Sequence, residues 1–97
     1  MIYMCLMEYA DSAAMAKVRP EHRTYMTGLV KDGKVLAAGS FLPDSDGGLF
    51  LYEAASLEEA QRFVDNDPYI RSGVIRSHRL TQYEIHGCNP ALLRVTS

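Results

Sequence analysis

The chain has 97 residues, 47% of them hydrophobic, which suffices for one modest core, and its 23% charged content is that of a folded globule. Lys and Arg number 10 against 12 Asp and Glu, a formal net charge of -2, and no stretch concentrates the basic residues. That balance excludes nucleic acid as the main partner, because a phosphate-binding face needs a basic excess.

Residues 1–9, MIYMCLMEY, form a short, nearly all-apolar run rich in strand formers, which predicts a buried first strand. The run is far too short to span a bilayer and no basic segment precedes it, so no membrane partner is expected. Cys5 lies within this run and reads as a small buried hydrophobe. Cys88 stands near the other end, and neither a disulfide framework nor a CxxC site is formed. A reducing, cytoplasmic setting is expected.

The small-residue stretch 10–18 reads as a connection. Pro20 then suits the first position of a helix, where its missing N–H costs nothing. Apolar residues follow at Tyr25, Met26, Leu29 and Val30, and His22 falls on the same stripe. The helix is expected to end at Gly33. A second strand is predicted over 34–42 and a third over 49–55, joined by the turn residues PDSDGG. Ser56 and Glu59 have the spacing of a capping box. They open a second helix with Leu57, Ala60, Phe63 and Val64 on one face and Pro68 as its limit. A fourth strand is expected over 73–86. Residues 87–97 read as a tail with one apolar patch, Ala91 to Leu93.

The order βαββαβ predicts an α+β, ferredoxin-like domain: a four-stranded antiparallel sheet with both helices on one face. The chain reads as one domain over 1–97, with its core in about 1–86 and the tail beyond. The first three strands are apolar on both sides, and two helices cover only one face of such a sheet. A second copy of the chain, packed sheet against sheet, is the expected cover. The alternative is a monomer with an exposed apolar face, an aggregation liability.

In this topology the start of the first helix and the end of the second share one rim. His22 is expected in the first turn of the one and Asp67 in the last turn of the other. Tyr9 and Ser40 end the strands that arrive there, with Arg19 and Tyr69 alongside. An imidazole titrating near neutrality can take and return a proton, and a carboxylate can fix its tautomer. The same pair can equally be a buried tie between two helix ends.

The motifs RPEH at 19–22 and DNDPYIRSGV at 65–74, with the glycine pattern LAAGSF and DGGLFLYEA, resemble the YCII-related family over about residues 1–86. The resemblance implies a dimeric α+β barrel and an active site containing a His and an Asp, which match His22 and Asp67. The known chemistry of one member, dehydrochlorination of a chlorinated hydroxyhydroquinone, implies small ring substrates. One departure is visible. Many members read Ala-Gly-Pro after the second strand where this chain has Ala-Gly-Ser, so the hydroxyl of Ser40 replaces a rigid position.

Other constellations are weak. His78 and His86 lie roughly 27 Å apart along an extended strand at about 3.4 Å per residue, too far to share an ion, so no metal site is expected. The PDSDGG loop lacks the glutamate of a calcium site, and Gly47 and Gly48 form no dinucleotide fingerprint. The sequence is therefore read as a cofactor-free lyase or isomerase acting on a small oxygenated molecule, cyclic or aromatic. In that reading His22 and Asp67 are catalytic, Arg19 is an anion clamp, and Ser40, Tyr69 and Tyr9 line the substrate. The alternatives are a non-catalytic dimer that binds a small ligand in the same cleft, or a purely structural dimer.

Overall fold

A computed structural model describes residues 1–96; the last residue of the expected tail, Ser97, lies outside the described residues. The elements are β1 (Ile2–Tyr9), α1 (Ser12–Lys31), β2 (Val35–Ser40), β3 (Gly47–Glu53), α2 (Leu57–Asp65), α3 (Pro68–Arg71) and β4 (Ile75–Tyr83). The four strands form one antiparallel sheet in the order β2-β3-β1-β4, a ferredoxin-like α+β fold.

The helices pack on one sheet face, and the register shows which residues they meet. Tyr3, Cys5 and Met7 of β1 alternate inward and pair with Tyr52, Phe50 and Gly48 of β3. Met26 of α1, Val35 of β2 and Val64 of α2 close the core over them. In α1 the buried residues are Met15, His22 and Met26, a spacing that keeps them on one helical face.

The opposite sheet face is also apolar. Met4 pairs with Leu51 and Leu6 with Leu49, all half-buried, and no element among the described residues lies over them. Leu49 and Leu51 both point to this side, because β3 alternates strictly from Gly48 to Glu53.

The first helix departs from expectation at its start. The stretch expected to be a connection forms the first two turns of α1, with Asp11 as the N-cap accepting from the Ala13 N–H at 2.9 Å. The run Ser12–Ala16 contains three alanines, and their helix propensity outweighs the proline signal. Pro20 consequently sits inside the helix, on its exposed side. There it removes one backbone hydrogen bond, a loss that water can make good on the carbonyl side.

The second helix starts as the capping box dictates. The Glu59 N–H donates to Ser56 Oγ at 3.2 Å, and Glu59 Oε1 accepts from the Ala55 N–H at 3.2 Å. Both cysteines are free, Cys5 buried and Cys88 exposed. Burial, with a smaller contribution from the charge of Asp67, pushes the Cys5 thiol up to about 12. Only the thiolate reacts, so Cys5 is inert on both counts. A thiol reagent at mildly alkaline pH should therefore label Cys88 alone in the native protein and both cysteines in denaturant, as read by mass spectrometry. Labelling of Cys5 without denaturant would show that the sheet core opens.

Candidate active site

His22 lies at the middle of α1, not in its first turn, and is 8% exposed. Asp67 lies beyond α2, which ends at Asp65, and is fully buried as the N-cap of α3. Pro68 explains the geometry. The residue before a proline avoids helical angles, so Asp67 is extended at φ -65, ψ 128 and the short α3 starts after it. Since α3 packs against α1, the two residues meet over the sheet and not at a rim between helix ends.

His22 Nδ1 and Asp67 Oδ1 are 2.8 Å apart in a buried contact. The same Oδ1 accepts from the Tyr69 N–H at 2.9 Å. One carboxylate oxygen thus caps α3 and holds the imidazole. Because the carboxylate accepts, the ring nitrogen donates, and the neutral ring carries its proton on Nδ1. The other ring nitrogen, Nε2, has no partner among the described residues. Asp67 Oδ2 is buried without a partner, as is the hydroxyl of Tyr52.

Aromatic rings fix the imidazole from two sides. Tyr69 stacks on it at 3.8 Å between centroids and 10° between planes. Phe50 meets it edge-on at 5.6 Å and 79°. The Tyr9 ring in turn packs on Tyr69 at 5.5 Å. Tyr69 is 3% exposed, so it backs the imidazole and presents little surface of its own.

Tyr9 is also where this stack meets open space. A cleft of about 740 Å³ opens beside the end of β1 and the start of α1. Tyr9, Arg19, Met7, Met15, Phe41 and Arg76 are among its walls. Arg76 is the extra residue where the β1–β4 pairing shifts between Glu8 and Tyr9, a bulge of the kind that redirects a side chain. Ser40 pairs with Gly48 across β2 and β3 and is exposed. A Cβ on Gly48 would come within 2.6 Å of the Tyr9 hydroxyl and 3.3 Å of the Phe50 ring. The glycine therefore leaves the room in which that hydroxyl sits.

Of the residues singled out in the sequence, His22, Asp67, Tyr69 and Tyr9 form one contiguous stack. Of that stack only Tyr9 lines the cleft, together with Arg19; His22, Asp67 and Tyr69 lie behind it, and the exposed Ser40 lies across from the glycine beneath Tyr9, outside the lining. Phe50, Gly48 and Arg76 join the site through strand pairing and a bulge, which neighbours along the chain do not reveal. Gly48 falls in the stretch expected to be a turn, where glycine is ordinary, but β3 begins at Gly47 and so includes it; Phe50 looks like any core aromatic. Burial, and after it the nearby Tyr69 and Asp67, push the Tyr9 phenol above its usual value, with Arg19 acting in opposition. No group of three or more His, Cys, Asp or Glu among the described residues is arranged to hold a metal ion.

The profile of the YCII-related domain matches residues 1–84. The chain belongs to the YCII-related family. The fold of this YCII-related chain is similar to that of 5-chloro-2-hydroxyhydroquinone dehydrochlorinase from Burkholderia phenoliruptrix, solved with 2,5-dihydroxybenzoquinone. The two share 22% identity with a TM-score of 0.77, over 90% of this chain and 96% of that one. Muconolactone isomerase matches at a TM-score of 0.70 and 11% identity, over 99% of this chain and 98% of the other. An antibiotic biosynthesis monooxygenase matches at 0.58 and 13%, over 90% and 100%. No curated protein matches the chain in sequence.

Two variants test the shared carboxylate of this YCII-related domain. Asp67→Ala leaves the His22 and Tyr69 donors without an acceptor in a buried site, and should cost about 3 kcal/mol or more in urea denaturation. Asp67→Asn keeps an Oδ1 acceptor for both donors and should cost distinctly less. In wild type, ¹⁵N NMR of the neutral His22 ring should show the proton on Nδ1. A ring protonated on Nε2 would mean that the contact is not the one described.

Proposed function

We propose that this protein is a cofactor-free acid–base enzyme of the lyase or isomerase type, acting on a small oxygenated substrate, cyclic or aromatic. The observation that carries the reading is the division of labour within one imidazole. Nδ1 is held at 2.8 Å by a buried carboxylate, and Nε2 is left without a protein partner. A ring fixed in this way has a defined tautomer, a defined orientation and one free basic nitrogen. His22 is the general base that takes the substrate proton, and Asp67 stabilises the imidazolium that forms. Returning the proton to another carbon gives an isomerase. Departure of a leaving group with its bonding pair gives a lyase. Arg19 and Ser40 hold the oxygen substituents, and Tyr9, backed by the buried Tyr69, forms the aromatic wall against which a flat ring packs. The fold shared with a dehydrochlorinase and an isomerase supports this choice of reaction class.

A second reading, ligand binding without turnover, draws on the burial of His22 at 8% exposure. Turnover separates the two. The substrates to try are 5-chloro-2-hydroxyhydroquinone, followed by chloride release, and muconolactone, followed by absorbance. His22→Ala should keep the fold at reduced stability, because it empties a buried site and takes one donor from Asp67, and should lower kcat/KM by roughly 10²-fold or more. Undiminished turnover in that variant would refute the acid–base role, and retention of either compound without turnover would favour the binding reading.

We further propose that the working form is a homodimer, with the uncovered sheet faces packed together as in a dimeric α+β barrel. The half-buried Met4, Leu6, Leu49 and Leu51 make that face apolar on both central strands. The two free cysteines fit a reducing, cytoplasmic compartment. Among the described residues no helix is long and apolar enough to cross a membrane. Leu51→Lys places a charge at the centre of the proposed interface and should dissociate the dimer or precipitate the chain. Sedimentation of the wild type as a monomer at micromolar concentration would end the dimer proposal.

A further inference from the structure

We infer that the Tyr9 hydroxyl is a second catalytic group, the hydrogen-bond donor to the substrate oxygen on which negative charge develops. The inference rests on the acid–base reading above and deepens it by naming a substrate class. That class is a small ring bearing a carbonyl, or a tautomerisable hydroxyl, next to the carbon that loses its proton.

Four observations converge on this hydroxyl. First, Tyr9 is one of the residues that line the cleft. Second, it occupies the space that Gly48 leaves empty, 2.6 Å from where a Cβ would stand, beside the Phe50 ring that also meets His22. Third, it makes no hydrogen bond to the protein among the described residues, although partly buried phenols ordinarily find a partner. The contrast is Tyr25, whose hydroxyl donates to the Phe63 carbonyl at 2.6 Å. Fourth, Tyr9 and His22 both pack on the ring of Tyr69, at centroid distances of 5.5 Å and 3.8 Å. Burial keeps the phenol protonated at neutral pH, which is the state a donor needs.

The step balances without any further reactant. His22 Nε2 takes the proton from the ring carbon. The electron pair of that C–H bond forms a new C=C bond, and the carbonyl π pair moves onto oxygen. The Tyr9 O–H bond stays intact throughout and its hydrogen bond to that oxygen strengthens as the charge grows. This is differential stabilisation of the transition state, as at an oxyanion hole. The enolate then collapses either by reprotonation from His22 at a different carbon or by expulsion of a leaving group.

Tyr9→Phe removes only the oxygen, and since that oxygen holds nothing in the protein, the melting temperature should not change. With a substrate that the wild type turns over, kcat should fall by about 10²-fold while KM stays within a few-fold. An arm independent of turnover uses 4-nitrophenolate as an oxyanion probe and nitrobenzene as its isostere lacking the oxygen. Tyr9→Phe should weaken 4-nitrophenolate on the order of tenfold and leave nitrobenzene unchanged. Unchanged kcat together with unchanged 4-nitrophenolate affinity would overturn the role of Tyr9 while leaving that of His22 standing. If His22→Ala keeps its turnover, the acid–base reading fails, and the 4-nitrophenolate comparison still decides whether Tyr9 is an oxyanion donor. Equal weakening of both probes would mean that the variant has merely deformed the cleft, and would also overturn the inference.

Discussion

The contact between His22 Nδ1 and Asp67 Oδ1 connects three parts of the molecule. It ties the middle of α1 to the start of α3, and through the Tyr69 stack it reaches the end of β1. Both partners are removed from water, and polar groups buried in this way are costly unless they are hydrogen-bonded. What offsets that penalty is concentrated on one oxygen, which receives the imidazole and the Tyr69 N–H. The second carboxylate oxygen receives nothing. A buried acceptor left unpaired is a desolvation cost that the rest of the core must outweigh. Packing of Met26, Phe50, Tyr52 and Val64 around the site is where that surplus is found.

The two faces of the sheet do different work. Large residues fill the helix side of β1 and β3, and the helices seal them. The other side keeps aliphatic residues at half exposure, suited to a flat contact. The cleft opens at the strand end where the two faces meet, so its walls include residues from both, Met7 with Leu6 and Tyr9 with Glu8. Anything that packs on the open face therefore lies beside the mouth of the cleft.

Much of this arrangement is legible in the amino-acid sequence because it is written in local terms. Apolar runs bounded by turn residues mark the strands, and the Ser56–Glu59 spacing marks the start of α2. The family motifs point at His22 and Asp67 directly. What misleads is Pro20. A proline near the start of an apolar stripe resembles a first helical residue, and nothing local shows that the alanines before it already form a helix capped by Asp11. The displaced start moves His22 from a terminus to the middle of α1. Asp67 is misplaced for a related reason. Its spacing from Val64 continues the stripe of α2, but Pro68 forces the residue out of helical geometry and makes it a cap. The pair still meets, through the packing of α3 on α1. Long-range relations such as Tyr9 over Gly48 depend on strand register and lie beyond any reading of neighbours along the chain.

The double duty of Asp67 bears on how relatives of this protein can be interpreted. A lineage that abandoned the reaction would not thereby be free to discard the aspartate, since α3 would still need its cap and the imidazole its acceptor. Selection for a folded chain alone maintains both members of the pair. Their presence in another sequence is thus poor testimony that the sequence encodes a catalyst. A hydroxyl that supports nothing in the fold is a better witness. Drift from tyrosine to phenylalanine at position 9 has little structural consequence, so its retention across diverging sequences would record continued use.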